Sequence, residues 1–159
     1  MKASILTIHK TFLTTAALIV VIDQITKFII RDSLVLFQSI EVILGIFNIT
    51  YIRNPGAAFG IFGEESKLFR QIFLIGTSVA AIGIIASFYL KSKTHLARLG
   101  LSMIAGGALG NLIDRILFGE VTDFLDLYLG SYHWPAFNIA DSSITIGVGI
   151  TIYAIYMKK

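Results

Sequence analysis

Four apolar stretches, at about residues 12–30, 68–90, 96–118 and 136–157, constrain this chain more than any other feature. Each is long enough to cross roughly 30 Å of hydrocarbon as a helix rising about 1.5 Å per residue. Inside lipid, a backbone N–H or C=O has no water to pair with, so a helix is the form such a run takes. Composition agrees. The 159 residues are 55% hydrophobic and only 14% charged, where a soluble domain carries about a quarter charged residues. The expectation is a single integral-membrane domain over residues 1–159, with residues 33–67 as its one sizeable segment outside the bilayer. The basic start (Lys2, Lys10) resembles that of a secretory leader. No small-x-small cleavage site follows, and the run is long enough to span, so a retained first helix is expected.

Charge placement predicts the orientation. Lys2, Lys10, Lys91, Lys93, Arg98, Lys158 and Lys159 fall on one side of the four spans. Asp32, Glu41, Glu64, Glu65, Glu120, Asp123 and Asp126 fall on the other. Basic residues collect on the cytoplasmic side, so both termini are expected inside and the acidic end outside. This placement also accounts for the net charge of +3 without a nucleic-acid partner.

The polar residues inside the apolar runs are the candidates for chemistry, because a charge there is costly. In the first run Asp23 and Lys27 stand four apart, acid before base, the favoured order for a helical ion pair. They read as a structural pair rather than Asp23 as an additional active-site acid, with Lys27 able to snorkel outward. In the third run Gly106-Gly107-Ala108-Leu109-Gly110 offers a small-residue face for close helix packing. Asn111, Asp114 and Arg115 follow it on one side. Arg115 could pair with Asp114, contact lipid phosphates, or hold a carboxylate or carbonyl at a site. In the last run Asn138 and Asp141 share a face, and Asp141 has no basic residue at i±3 or i±4. Its partner must come from elsewhere, and Asp123 is the candidate that the hairpin between spans three and four would bring near.

Outside the spans, Asn48 to Arg53 alternates β-branched, aromatic and polar residues and predicts a strand. Asn54-Pro55-Gly56 predicts a turn. Ala57-Ala58-Phe59-Gly60 then reads either as an ordinary hairpin or as a surface that holds an extended peptide. The stretch from Glu120 to Trp134, with Tyr128 and Tyr132, predicts a short amphipathic piece lying along the interface.

Elimination narrows the chemistry. There is no cysteine, so no thiol nucleophile exists and no disulfide framework. His9, His95 and His133 are scattered, with no metal-ligand spacing among them. No Gly-x-Ser-x-Gly elbow or glycine-rich phosphate loop occurs. Two carboxylates near one membrane surface remain. Brought together they would share a proton, one serving as base on water while the protonated one polarises a carbonyl. That chemistry requires no metal and no cofactor. The residues alone also allow a proton-coupled transporter relaying through Asp23, Asp114 and Asp141, or a non-catalytic assembly factor.

Five blocks then resemble the signal peptidase II (lipoprotein signal peptidase) family. They are Asp23-Gln24-x-x-Lys27, Asn54-Pro55-Gly56-Ala57-Ala58-Phe59, Gly106 through Arg115, Val121-Thr122-Asp123-Phe124, and Phe137-Asn138-Ile139-Ala140-Asp141-Ser142. They come in the family's order and reach from the first span to the last. The resemblance implies an aspartic endopeptidase with Asp123 and Asp141 as the catalytic pair. Asn54, Gly56, Asn111, Asp114, Arg115 and Asn138 would support the site or hold substrate. The implied substrate is a bacterial prolipoprotein carrying a diacylglyceryl group, cut just before its lipidated cysteine at the outer face of the inner membrane. The implied fold is a four-helix membrane bundle with a small extracytoplasmic β-rich cradle. With the amphipathic piece after the third span read as a short interfacial helix, the expectation is a monomer among membrane lipids.

Overall fold

The computed structural model describes residues 5–56 and 67–157, with side chains of the first helix from residue 10 onward. The small residues at 57–60, and Lys2, Glu64, Glu65, Lys158 and Lys159, lie outside the described residues, as does the side chain of His9. Among the described residues four helices are long and apolar enough to cross a membrane. They are α1 (Ile5–Ser33), α2 (Lys67–Lys91), α3 (His95–Phe118) and α4 (Ile139–Tyr156). Between them lie β1 (Ser39–Ile43), β2 (Phe47–Asn54), β3 (Val121–Leu129) and β4 (Tyr132–His133), which form one antiparallel sheet in that order. By connectivity the sheet joins the end of α1, the end of α3 and the start of α4. The short α2–α3 turn lies at the opposite end.

Helix α3 is the centre of the bundle and the most buried of the four. Helix α2 packs chiefly on α3 and meets α1 through the rings of Tyr89 and Phe12. The glycine face of α3 explains its central place. A Cβ at Gly106 would meet the Ala16 carbonyl of α1 at 2.9 Å, and one at Gly107 would collide with the Ala140 carbonyl of α4. Backbones this close gain dispersion contacts that lipid tails cannot match. The ends of α3 are set locally. Thr94 caps its start by accepting from the Ala97 N–H (3.2 Å), and Gly119, at φ 75°, closes its end by donating to the Arg115 carbonyl.

The expected strand at Asn48–Arg53 is the middle of β2. The expected interfacial helix is a correction. Residues 121–129 form strand β3, and no short helix occurs among the described residues. Two signals favour the strand. Val121 and Thr122 are β-branched, and Gly130-Ser131 is a two-residue hairpin loop joining Leu129 to Tyr132, with Gly130 at φ 60°. The strand is then locked on both edges. One side pairs with β2, and on the other the Phe124 and Leu125 N–H groups both donate to the Phe137 carbonyl (2.9 and 2.8 Å). Beneath it Phe124 packs with Ile30 and Tyr51, tying sheet to α1. Pairing of Phe137 to this strand also delays α4, which begins at Ile139 rather than near residue 136.

Candidate active site

Register brings the first acid into place. A bulge in β2 between Ile49 and Ile52 sets Ile52 opposite Asp123 and Asn54 opposite Val121. Asn54 and Asp123 thereby become diagonal neighbours on one face, and Asn54 Nδ2 donates to Asp123 Oδ2 at 2.9 Å. The Asn54 amide oxygen accepts from the Gly56 N–H (2.8 Å), closing the expected Asn-Pro-Gly turn. Gly56 is at φ +76°, a region open to glycine at little cost, and Leu74 occupies the space a Cβ would need.

The second acid is set by a helix cap. Asn138 is the N-cap of α4, its Oδ1 accepting from the Asp141 N–H (2.9 Å), while Asp141 Oδ2 accepts from the Asn138 N–H (3.3 Å). This is a reciprocal capping box. It places Asp141 in the first turn, where the positive end of the helix dipole favours a carboxylate. Asn138 is fully buried and its Nδ2 donates to Asp123 Oδ1 at 2.7 Å. One asparagine therefore bonds both acids. Asn111, from α3, completes the set by donating from Nδ2 to Asp141 Oδ1 at 2.8 Å. Among the described residues each of the four carboxylate oxygens accepts one N–H, which fixes both groups in orientation.

Behind the acids lies a buried charge cluster. Lys27 pairs with Asp23 at 2.9 Å, as expected, and with Asp114 at 3.2 Å, all three fully buried. The expected snorkelling of Lys27 is a correction: two carboxylates and Asn111 hold its ammonium inside the bundle. Arg31 reaches Asp114 at 3.7 Å and stacks on Phe118. Each carboxylate of the cluster is also a backbone anchor. Asp114 accepts from the Thr122 N–H (3.0 Å), the residue before Asp123. Asp23 accepts from the Ala140 N–H (2.9 Å), the residue before Asp141. Asp114 is occupied by these partners, so it is not Arg115's counterion in direct contact. Arg115 instead donates to Ser78 of α2 (3.3 Å), its charge acts on Asp141 and Asp123, and its buried Nε has no partner among the described residues.

Gln24 and Arg31, outside the expected set, also join the site. Gln24 donates to Asp23, Asp114 and the Gly110 carbonyl. The available signal was spacing: Arg31 continues the i, i+4 series from Asp23 and Lys27, and Gln24 sits beside an intramembrane acid.

The two acids differ in environment. Asp123 is 2% exposed, and burial pushes its carboxyl up to about 6, with the neighbouring Asp141 charge adding to the rise and the amides of Asn54 and Asn138 opposing it. Asp141 is half-buried and opens on a cavity of about 410 Å³ lined by Leu127, Trp134, Phe137, Ser142, Thr145 and Ile146. A largely apolar slot beside a carboxylate pair suits an extended or lipid-bearing substrate. Among the described residues no three acidic, histidine or cysteine side chains are grouped to hold a metal ion.

Comparison with known proteins bears on this geometry. The family model for signal peptidase (SPase) II matches residues 15–157. The lipoprotein signal peptidase of Syntrophus aciditrophicus is 47% identical over 150 residues, covering 93% of each chain. That of Geobacter sulfurreducens is 52% identical over 132 residues, covering 82% of this chain and 81% of its own. A solved structure described as a bacterial membrane enzyme superposes with a TM-score of 0.82 at 38% identity, covering 92% of each chain.

Proposed function

The chain belongs to the signal peptidase II family and is a membrane aspartic peptidase that cleaves prolipoprotein signal peptides; we propose that Asp123 and Asp141 are its catalytic pair. The observation that carries this is Asn138, whose side chain and backbone bond both carboxylates at once. Two acids so close cannot both ionise without cost, so the resting pair shares one proton. Asp123, the more buried, holds it. Asp141, facing the cavity, is the base.

The reaction follows from that assignment. Asp141 takes a proton from water as the water oxygen attacks the scissile carbonyl carbon, while Asp123 gives its proton to the carbonyl oxygen. The tetrahedral diol then collapses. Its hydroxyl proton returns to Asp123, the proton on Asp141 passes to the departing amine nitrogen, and the C–N bond breaks. Arg115, with an N–H to spare, holds a substrate carbonyl beside the pair.

The substrate is a prolipoprotein whose cysteine bears a diacylglyceryl group, cut on the N-terminal side of that cysteine. The acyl chains keep the cysteine at the lipid–water boundary, at the depth of Asp141. The enzyme acts as a monomer in the inner membrane, both termini cytoplasmic, its site toward the outer face; basic residues at the α2–α3 turn support that orientation. Asp23 and Asp114 lie at the same end as the pair and already face Lys27, which disfavours a relay across the membrane.

The test is cleavage of a purified lipidated prolipoprotein by wild type, Asp123→Asn and Asp141→Asn, each shown to be folded. Loss of cleavage in both folded variants is expected. Activity retained in either one rejects the pair, and an unlipidated precursor cut as fast as the lipidated one rejects the anchoring role.

A further inference from the structure

We propose that Lys27 is a positioning residue for catalysis, holding the Asn111 side chain so that its N–H group faces Asp141; this rests on the assignment of Asp123 and Asp141 above. The Lys27 ammonium has three N–H donors and no acceptor. They go to Asp23 Oδ2, Asp114 Oδ2 and Asn111 Oδ1, at 2.9, 3.2 and 2.9 Å. Charge balance does not require the last of these. Asp23 and Asp114 against Lys27 and Arg31 sum to zero without any contact to a neutral amide.

The third bond decides how Asn111 stands. An amide can present either its oxygen or its NH2 to a neighbour, and the two orientations fill nearly the same space. Lys27 only donates, so the Asn111 oxygen must face it, which leaves the NH2 facing Asp141 Oδ1 at 2.8 Å. A flipped amide would set NH2 against the ammonium and a carbonyl oxygen against the carboxylate, both repulsive at a buried position. Asn138 Nδ2 reinforces the choice by donating to the same Asn111 oxygen at 3.2 Å while it also donates to Asp123. Lys27 thus reaches Asp141 through one amide. Removing it leaves only Asn138 and Asp141 to orient that amide and loosens the donor that faces the base.

A simple Lys27→Met variant would leave two buried carboxylates facing one arginine, a charge imbalance that can by itself prevent folding. The Asp23→Asn, Lys27→Met double variant restores neutrality, and the amide introduced at position 23 keeps an oxygen for the Ala140 N–H. The double variant is expected to melt near wild type. Its kcat on the lipidated prolipoprotein is expected to fall ~100-fold with KM within ~3-fold, the pattern of a lost preorganised donor. Asn111→Ala should cost ~100-fold in the wild-type background but less than ~3-fold in the double variant, because both act through one amide. A folded double variant with near wild-type kcat, or an Asn111→Ala loss that multiplies fully in it, overturns the proposal. Asp123→Asn runs alongside: if it stays active, the catalytic pair itself is wrong, whereas an inactive Asp123→Asn beside a fully active double variant rejects Lys27 alone.

Discussion

The cost of holding Asp123 ionised can be measured as stability. Its carboxyl rises from an ordinary value of 3.8 to about 6, chiefly because it is buried. Each unit is worth about 1.4 kcal/mol, so ionised Asp123 costs the folded protein about 3 kcal/mol. The sign follows from the direction. A folded-state pKa above the unfolded one gives stability that is fully present below about pH 4 and is lost as pH rises through about 6. Asp123→Asn removes the charge at every pH. It also sets an NH2 against one of the two amide donors, Asn54 or Asn138, a loss of about 1 kcal/mol. The variant should therefore be more stable than wild type by about 2 kcal/mol at pH 8, or about 4–8 °C in melting temperature. At pH 4.5 the advantage should vanish or reverse. Thermal unfolding of the two purified proteins in one detergent at both pH values is the assay, with cleavage measured on the same samples. An Asp123→Asn protein less stable than wild type at pH 8, or a gap that does not change with pH, would refute the idea that burial of this charge dominates its energetics.

Two other outcomes follow from the same geometry. The kcat/KM profile should decline above about pH 6 as the shared proton leaves the pair, and Asn54→Leu, which removes a donor to ionised Asp123, should shift that decline to higher pH; a shift to lower pH in cleavage assays over pH 5–8 contradicts it. Gly107→Ala should destabilise the protein by about 1–3 kcal/mol because its Cβ meets the Ala140 backbone, whereas Gly76→Ala in α2, with nothing within 4 Å of its added Cβ, should leave the melting temperature unchanged or raise it; equal effects would mean that the α3–α4 approach is not close-packed.

How far the sequence disclosed this structure depended on whether a signal was periodic or positional. The four spans were legible because lipid leaves a long apolar run one way to pair its backbone. The Asp23–Lys27 pair was legible because four-residue spacing fixes a helix face. The strand at 121–129 was not, since its aromatic and acidic residues also suit an interfacial helix. What decides it is the Gly130-Ser131 loop and the edge offered by Phe137, and the latter is a long-range fact. The inward direction of Lys27 is not legible in the sequence for a related reason. A lysine in a membrane helix snorkels when water is its best partner, and Asp114 and Asn111 come from another helix.

The same contrast explains why the site stands at this end of the bundle. A carboxylate pair in lipid is tolerable only if every oxygen has a donor and the surrounding charge is balanced. Helix α3 supplies Asn111, and the α4 cap supplies Asn138, which bonds both acids. The sheet supplies Asn54 through the β2 bulge. No single element could do this, because a helix presents its donors along one face and a strand on alternate residues. The acids meet where α1, α3, α4 and the sheet converge. There the carboxylates of Asp23 and Asp114, neutralised by Lys27 and Arg31, pin the residue just before each acid. The buried ion cluster and the proposed catalytic pair are thus one construction: the first fixes the backbone on which the second is mounted.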